Sequence, residues 1–478
     1  MVNDIRIKIE NIDVNDSVLI IYGKILNEKY SNLFFEDEKE NRYEVEYFDL
    51  KDGLFFKTCI DISNVKYIYP CLEINDKVYF VDIDFSISSK LNNIFASLYI
   101  KSSSKIIKYN KKEKRFDVYK NTFINTIKFE FKCIYFLLKK KKFKNLLVRE
   151  WINISNYFKS REIWLITDKY NNANDNGEEF FKYVINEQLN PDTKYYFAID
   201  KKSKDFKRLH YNYSNVININ SLRYKLLFLI ADKIVSSRID DININPYLVD
   251  KIYLGDLYNH KYVYLQHRNN IKKLVCNRFD IDMIITNNKD DYDYLSRNIV
   301  RKDIGKLTGF PRNDVDCNNT LNQILILFDE DDIEINQFYN RLINDDKVLS
   351  ILRDRDYRIR LICNSKNDFD QNEYVSIGNK DIVYNDEFRN SKLLITNNID
   401  LAYDFSYLKK SVIYYSFEKE NVDILGVSCF KNDVLVKEMI KLIKRDCVLD
   451  KKYNNKIDKL YEYNDNGNCK RVYEEIIK

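Results

Sequence analysis

The stretch Lys261-Tyr-Val-Tyr-Leu-Gln-His-Arg268 decides the fold, together with Leu307-Thr-Gly-Phe-Pro-Arg-Asn-Asp314 further along the chain. The first is a short apolar run that stops at Gln266-His267, a pattern typical of a buried parallel strand whose carboxyl end delivers side chains to a cleft. The second is another apolar strand that runs into a Thr-Gly and Pro-Arg turn. Because parallel strands share one carboxyl edge, the two stretches predict an α/β sheet with His267 and Arg312 at the same cleft.

His267 is a candidate for acid–base chemistry. The chain has only three histidines, and a histidine at the mouth of a strand can transfer protons at neutral pH. The alternative interpretation is that His267 is a structural or merely exposed side chain, which a single strand-end histidine favours when taken alone. The nearby Pro-Arg turn is what favours a catalytic site.

The composition indicates a soluble globular protein with room for two or three domains. The chain has 478 residues, of which 45% are hydrophobic and 32% charged, as in ordinary folded domains. The net charge of +5 is too small to indicate nucleic-acid binding. Nine scattered cysteines without CxxC spacing predict reduced, mostly buried thiols and not a disulfide or zinc framework.

Targeting and membrane-spanning signals are missing from the printed sequence. Residues 1–16 are charged and alternating, with no apolar core of a signal peptide. No uncharged run has the length needed to cross a bilayer. We therefore expect a cytoplasmic protein.

Residues 1–110 predict an all-β, sandwich-like module, because short runs rich in β-branched and aromatic residues alternate with polar turns. Residues 111–160 change character. A helical apolar pattern over 123–138 is followed by Lys139-Lys-Lys-Lys142, with Phe143 and Trp151 among the next apolar residues. Such a basic amphipathic helical linker is typical of a segment that lies on anionic lipid. A solvated linker packed against a neighbour stays an equally good interpretation.

From residue 161 onward the pattern becomes β-strand and α-helix alternation. Residues 161–315 predict one Rossmann-like domain and residues 316–478 a second. In the first domain, Asp175-Asn-Gly177 lies between a strand and a helix. A capped helix N-terminus attracts anions, although a capped helix without a ligand is the plainer interpretation. The strands are expected at 163–166, 194–199, 216–219, 233–236, 262–265, 283–286 and 306–308, then at 323–328, 357–362, 374–377, 393–396 and 412–415.

Taken together, these motifs resemble the CDP-glycerol glycerophosphotransferase family, which comprises teichoic acid polymerases and related capsule enzymes. That family carries Leu-Gln-His-Gly and Thr-Gly-x-Pro-Arg-x-Asp motifs in this order. The resemblance is carried by Leu265-Gln-His267, Lys272-Lys273, Ile284-Ile-Thr286, Leu307 to Asp314, Asp175-Asn-Gly177 with Phe180-Phe181, and the segment from Thr396 to Lys410.

The resemblance implies a GT-B-like pair of doubly wound parallel-sheet domains, with a CDP-polyol donor and a lipid-linked or polymer acceptor meeting in the cleft. It implies His267 as the general base and no metal or cofactor. It places the enzyme in cell-wall teichoic acid or capsule synthesis, peripheral at the inner face of the membrane through segment 139–149. The residues implied on the donor side are Thr308, Gly309, Arg312, Thr396, Asn397 and Asp400. Those on the acceptor or anion side are Asp175, Asn176, Gly177 and Arg268.

Several positions depart from the family pattern. Arg268 replaces a glycine, Ile399 and Asp400 replace two serines, and no histidine follows His267. A carboxylate at position 400 repels phosphate unless it is paired or protonated. Two alternatives to an active transferase of this kind therefore stay open. One is a catalytically impaired member that acts as a binding subunit of an envelope assembly complex, and the other is an enzyme that uses a different nucleotide-linked donor.

Overall fold

The structure is a computed structural model, and it describes residues 6–26, 32–86, 89–91, 99–239, 244–258, 260–267, 271, 280–315, 317, 320–328, 333–363, 372–378, 384–416 and 425–478. Arg268 and Lys272-Lys273 lie outside the described residues. The interpretations given to them above therefore stay predictions.

Two mostly antiparallel sheets form the N-terminal part. Their orders are β5-β6-β2-β1-β9 and β10-β11-β12-β7-β3-β4, with β8 paired to β7. The strands are β1 Arg6–Asn15, β2 Val18–Ile25, β3 Leu33–Asp37, β4 Arg42–Glu44, β5 Glu46–Leu50, β6 Gly53–Asp61, β7 Tyr67–Ile74, β8 Lys77–Phe80, β9 Asp82–Phe85, β10 Ile100–Lys101, β11 Lys105–Asn110 and β12 Arg115–Lys120.

The inward faces of both sheets supply one shared core, which includes Ile7 and Ile21 from the first sheet and Phe35 and Phe116 from the second. Strand β12 pairs with both β11 and β7. The boundary expected at residue 110 therefore falls inside a β-hairpin, and this sheet continues to Lys120.

The first parallel sheet contains β13 to β19 in the order β15-β14-β13-β16-β17-β18-β19. The chain starts in the middle, winds outward to one edge, and returns to fill the other, which places a topological switch point between β13 and β16. The strands are β13 Glu162–Thr167, β14 Thr193–Ile199, β15 Val216–Asn218, β16 Lys233–Ser236, β17 Lys261–Tyr264, β18 Met283–Thr286 and β19 Gly305–Leu307.

The second parallel sheet repeats this winding in the order β22-β21-β20-β23-β24-β25. The doubly wound α/β pair expected from the alternation of strands and helices is therefore present. The strands are β20 Gln323–Leu327, β21 Arg358–Ile362, β22 Val375–Gly378, β23 Leu393–Thr396, β24 Ser411–Tyr415 and β25 Val427–Cys429.

Helices cover both faces of these sheets, and one helix joins the two units. The last helix, 468–477, packs Val472 and Ile476 into the core of the first unit beside Trp164, so the range 316–478 is not confined to the second unit. The helices are α1 Phe123–Lys139, α2 Phe143–Phe158, α3 Asn176–Asn186, α4 Lys204–Asn212, α5 Leu222–Ile230, α6 Lys251–Leu254, α7 Lys289–Asn298, α8 Ile333–Ile343, α9 Asp346–Arg355, α10 Tyr384–Asn390, α11 Ile399–Tyr407, α12 Asn432–Lys444, α13 Lys451–Leu460 and α14 Asn468–Ile477.

Candidate active site

Side chains from both α/β units line one cavity of about 270 Å³, called the central cleft below. It lies beside the switch point of the first sheet, where such folds bind their ligands. The first unit contributes Asp175, Arg238, His267 and Arg312 among its lining residues, and the second contributes Asn398, Asp400 and Asp404. The structure thus brings the His267 and Arg312 motifs, distant in sequence, to one place.

The ring of His267 is oriented by a neighbouring strand end. Its Nδ1 lies 3.2 Å from the backbone oxygen of Ser237 and, at a longer 3.5 Å, from the hydroxyl of Tyr264, which can accept a hydrogen bond as well. Because a carbonyl oxygen can only accept a hydrogen bond, Nδ1 carries the proton, and in the neutral ring Nε2 holds the lone pair. This tautomer suits a general base that acts through Nε2.

The residue before His267 adopts an unusual backbone conformation. Gln266 has a φ of 55°, the left-handed region that non-glycine residues seldom occupy. Its buried side chain donates a hydrogen bond to the backbone oxygen of Ile285. Such conformations persist where the surroundings enforce them, often at functional sites, and here the turn ends β17 and directs the next residue to the cleft.

Asn176 joins the strand end before His267 to the Pro-Arg turn through hydrogen bonds. It is fully buried, and its amide nitrogen donates to the backbone oxygens of Leu265 at 2.9 Å and Gln266 at 3.0 Å. Its side-chain oxygen accepts from the backbone amide of Arg312 at 3.1 Å. These contacts make Asn176 a support for the strand end and the Pro-Arg turn, and its assignment to the acceptor or anion side stays a prediction.

Asp168 is a buried residue of this region that the sequence did not single out. Its carboxylate accepts from the backbone amides of Gly177 at 2.7 Å and Glu178 at 2.9 Å, so it holds the start of α3. A Cβ atom on Gly177 would lie 2.5 Å from Asp168 Oδ1, which explains the glycine. Burial raises the pKa of Asp168 to about 7, and the charges of Asp175 and Glu178 add to the increase. Its only sequence signal was its position directly after a strand.

Arg312 is held by carboxylates from both units. Its Nη1 donates to Asp175 at 2.6 Å, while Nε and Nη2 donate to the two oxygens of Asp404 at 3.2 and 3.1 Å. Arg312 is 9% exposed. Burial alone would lower its pKa, but Asp404 and Asp175 more than offset this and raise the pKa above its ordinary value.

Thr308 and Gly309, expected on the donor side, are not among the residues that line the central cleft. Thr308 is buried and donates from Oγ1 to the oxygen of Gly309 at 3.0 Å. Gly309 has a φ of +80°, and a Cβ atom there would lie 2.0 Å from Oδ1 of Asn468 at the start of α14. Both residues therefore shape the turn and seat the last helix.

In the second unit, the segment after β23 reaches the cleft through Asn398 and Asp400. Thr396 is buried and accepts from the backbone amide of Asn398 at 3.0 Å. Asn398 caps α11 by accepting from the amide of Leu401 at 3.0 Å. Asp400 is among the residues that line the cleft, whereas Thr396 and Asn397 are not. The missed residue, Asn398, had the signal of an asparagine directly before a helix.

Arg238 is another lining residue that sequence reasoning missed. It follows β16, whose carboxyl end was predicted at Ser236. Its position directly after a predicted strand could therefore have indicated it as a site residue. Its backbone amide donates to Oγ of Ser236 at 3.1 Å.

Among the described residues, no group of three or more His, Cys, Asp or Glu side chains could hold a metal ion.

Two Rossmann-like units with strand ends at a shared cleft define a GT-B-like fold. Residues 149–337 match the family described as CDP-Glycerol:Poly(glycerophosphate) glycerophosphotransferase. The chain is 30% identical over 450 residues to the Minor teichoic acid biosynthesis protein GgaB of Bacillus subtilis (strain 168), covering 82% of this chain and 49% of GgaB. It therefore spans about half the length of that curated relative.

The solved structure of the wall teichoic acid polymerase TagF has the same fold. It matches with a TM-score of 0.50 and 16% identity, over 74% of this chain and 98% of the TagF chain. Residues 149–337 belong to the CDP-glycerol glycerophosphotransferase family, as the motifs suggested.

Proposed function

We propose that this protein transfers glycerol phosphate, or a related polyol phosphate, from a CDP-linked donor to a lipid-linked or polymer acceptor in teichoic acid or capsule synthesis. The observation that carries the proposal is the orientation of His267. The ring lines the central cleft with Nδ1 bonded to Ser237, so that Nε2 is the basic nitrogen. The family match supplies the class of substrate.

The proposed chemistry uses His267 as a general base. Its Nε2 takes the proton of the acceptor hydroxyl as the oxygen attacks the phosphorus that carries the polyol. An oxygen–phosphorus bond forms, the anhydride bond of the diphosphate breaks, and CMP leaves with the bonding electrons. Catalysis of this kind depends on positioning and on cations that stabilise the departing phosphate.

We also propose that the protein attaches to a membrane surface, and the evidence for this is the surface of the helical hairpin α1–α2. One stripe of α1 is buried through Phe129, Cys133 and Leu137. Another stripe leaves large apolar side chains exposed, including Ile124 at 77%, Phe131 at 65% and Tyr135 at 68%. These residues recur at helical spacing, as in helices that lie in a lipid interface.

Helix α2 and the intervening turn continue this surface. Phe143, Leu147 and Tyr157 are exposed on α2, while Arg149 on the opposite side is buried and paired with Glu130 and Asp256. The basic run 139–142 ends α1 and forms the turn to α2, and its lysines are largely exposed. Basic and apolar groups side by side suit an anionic lipid surface. None of the helices in the described part of the chain has the length and apolar character that crossing a bilayer requires.

The transfer reaction tests the proposal directly. The protein is incubated with labelled CDP-glycerol and a lipid-linked acceptor, beside the variants His267→Ala and His210→Ala. His210 is exposed on α4 and lies outside the lining of the central cleft, so it is a matched control. We expect transfer by the wild type and by His210→Ala, and its loss in His267→Ala.

Other outcomes separate the alternatives. If the wild type binds CDP-glycerol but transfers nothing to any acceptor tried, the protein is better explained as a binding subunit of an assembly complex. If it binds other nucleotide-linked donors and not CDP-glycerol, the donor assignment is wrong. Transfer that survives in His267→Ala would remove the role of His267 as base.

A further inference from the structure

The cation that the sequence pointed to is already neutralised. Arg312 contacts two carboxylates, those of Asp175 and Asp404, through three hydrogen bonds of 2.6 to 3.2 Å. A diphosphate that approached this guanidinium would meet both negative charges at the same time. Arg312 is therefore poorly placed to receive a donor phosphate without first giving up its partners.

Arg238 has the opposite surroundings. Its Nε is buried and, among the residues that the structure describes, has no hydrogen-bond partner. Within the described ranges, no carboxylate pairs with Arg238, and yet its side chain lines the central cleft. Buried donors are nearly always satisfied in folded proteins, so a guanidinium N–H left without an acceptor at the wall of a cavity points to a ligand that supplies one.

The backbone around Arg238 is fixed next to the proposed base. Its carbonyl oxygen accepts from the hydroxyl of Tyr262 at 2.6 Å, and its amide donates to Ser236. The preceding residue, Ser237, provides the oxygen that orients His267. Arg238 and His267 thus come from the ends of adjacent strands, β16 and β17, beside the switch point of the sheet.

We propose that Arg238 binds the diphosphate of a nucleotide-linked donor, and that Arg312 instead ties the two α/β units together at the floor of the cleft. The inference rests on the proposed function for the identity of the donor. A planar guanidinium can bind two phosphate oxygens at once, which an ammonium group cannot do. Charge on the leaving phosphate would then be stabilised within reach of the base that starts the reaction.

Calorimetric titration of the full chain tests this assignment. The ligands are CDP-glycerol and inorganic pyrophosphate, and the variants are Arg238→Gln and Arg238→Lys. Arg297→Gln is the matched control, since Arg297 is 76% exposed on α7, with Asp293 as its ion-pair partner. We expect Arg238→Gln to lower the affinity for CDP-glycerol at least about tenfold, because charge-assisted hydrogen bonds are lost. Its thermal unfolding midpoint should stay that of the wild type, and Arg297→Gln should bind CDP-glycerol as the wild type does.

The other possible results with the Arg238 variants also decide whether Arg238 binds the diphosphate. Affinity of Arg238→Gln within about twofold of the wild type overturns the assignment, because charge-assisted bonds contribute more than that. If Arg238→Gln does not fold, Arg238→Lys decides: a loss of affinity of more than about twofold supports the role, because an ammonium group cannot bind two phosphate oxygens as a guanidinium does, and an unchanged affinity overturns it.

The two proposals fail separately. If the wild type does not bind CDP-glycerol, the proposed function loses its donor, and the pyrophosphate titration judges Arg238 on its own. Loss of pyrophosphate binding in Arg238→Gln then supports the anion site. Equal binding by both proteins, or none by the wild type, overturns it.

Discussion

Arg312 and Asp404 form a buried ion pair between the two α/β units. The guanidinium of Arg312, in the turn after β19, donates to both carboxylate oxygens of Asp404 on α11 at 3.2 and 3.1 Å. Asp175 at the start of α3 binds the same guanidinium from the other side at 2.6 Å. One arginine thus joins a helix start of the first unit to a helix of the second.

Breaking this pair should destabilise the fold. We expect Asp404→Asn to lower the free energy of unfolding by about 3 kcal/mol, because it removes one partner of a largely buried guanidinium. Urea denaturation measures the change. Asp458→Asn is the control, because Asp458 forms an ion pair with Lys409 but its side chain is 49% exposed. Equal losses in both variants would mean that burial of the Arg312 pair has no special effect.

Glu178 should make stability depend on pH. It is fully buried, and Arg208 donates to its two oxygens at 2.7 Å each. Burial raises its pKa, but Arg208 and Lys182 lower it more, so the folded-state pKa lies below the ordinary value. A lowered carboxyl pKa contributes stability above the unfolded-state pKa of about 4.5, and this contribution is lost as pH falls through the folded-state pKa.

We therefore expect Glu178→Gln to destabilise the protein at pH 7 and to differ less from the wild type at pH 3 to 4. Unfolding midpoints across this range provide the measurement. The control is Glu474→Gln, since Glu474 is 51% exposed on α14. If the difference in stability between the wild type and Glu178→Gln stays constant with pH, the pKa of Glu178 is the same in the folded and the unfolded chain, which contradicts the prediction.

Asn176 should act by positioning and not by contact with substrate. We expect Asn176→Ala to lower stability by about 2 to 3 kcal/mol, since two buried carbonyls and the Arg312 amide lose their partner. Turnover should fall while the affinity for CDP-glycerol changes little, because the strand end that carries His267 is released. Asn298→Ala is the control, since Asn298 makes a single exposed bond to Tyr294. Unchanged stability would contradict the supporting role.

The main elements could be predicted because they depend on local patterns. Strands β16, β18 and β23 lie where the apolar runs placed them. Parallel topology then forces strand ends to one edge, which is enough to bring His267 and Arg312 together. The hairpin strand Arg115–Lys120 was missed because its basic neighbours hide the alternation of Phe116 and Val118, both of which are buried.

The finer assignments could not be predicted because they depend on contacts between distant residues. Gly309 faces Asn468, and Arg312 meets Asp404, pairs that no local spacing reveals. The contacts of Thr308 and Gly309 with α14 therefore could not be foreseen from the motif that assigned both residues to the donor side. In the same way, the missing partner of Arg238 Nε is a property of the folded surroundings.

Asp400 should weaken donor binding. It lines the central cleft, where the family pattern has a serine. We expect Asp400→Ser to raise the affinity for CDP-glycerol by about three- to tenfold, because one like charge is removed and a hydroxyl donor is added. Calorimetry gives the result. Equal or weaker affinity would indicate that the Asp400 carboxylate does not face the diphosphate, and would favour a different donor.

The lysine turn between α1 and α2 should set the strength of membrane binding. We expect replacement of Lys139 to Lys142 by glutamine to reduce sedimentation with anionic vesicles by more than tenfold at low salt, since each lysine near such a surface contributes roughly 1 kcal/mol. The difference should shrink as salt is raised, because exposed charges are screened. What then remains should be the apolar contribution of exposed side chains such as Phe131.

A matched fourfold variant separates this local effect from net charge. Replacing Lys451, Lys452, Lys456 and Lys459 of α13 by glutamine removes the same charge from another exposed basic helix. We expect this control to sediment nearly as the wild type does, because α13 lacks the neighbouring exposed aromatic stripe. If both variants lose binding equally, attraction is a matter of total charge. If neither does across the salt series, the hairpin does not contact lipid through its lysines.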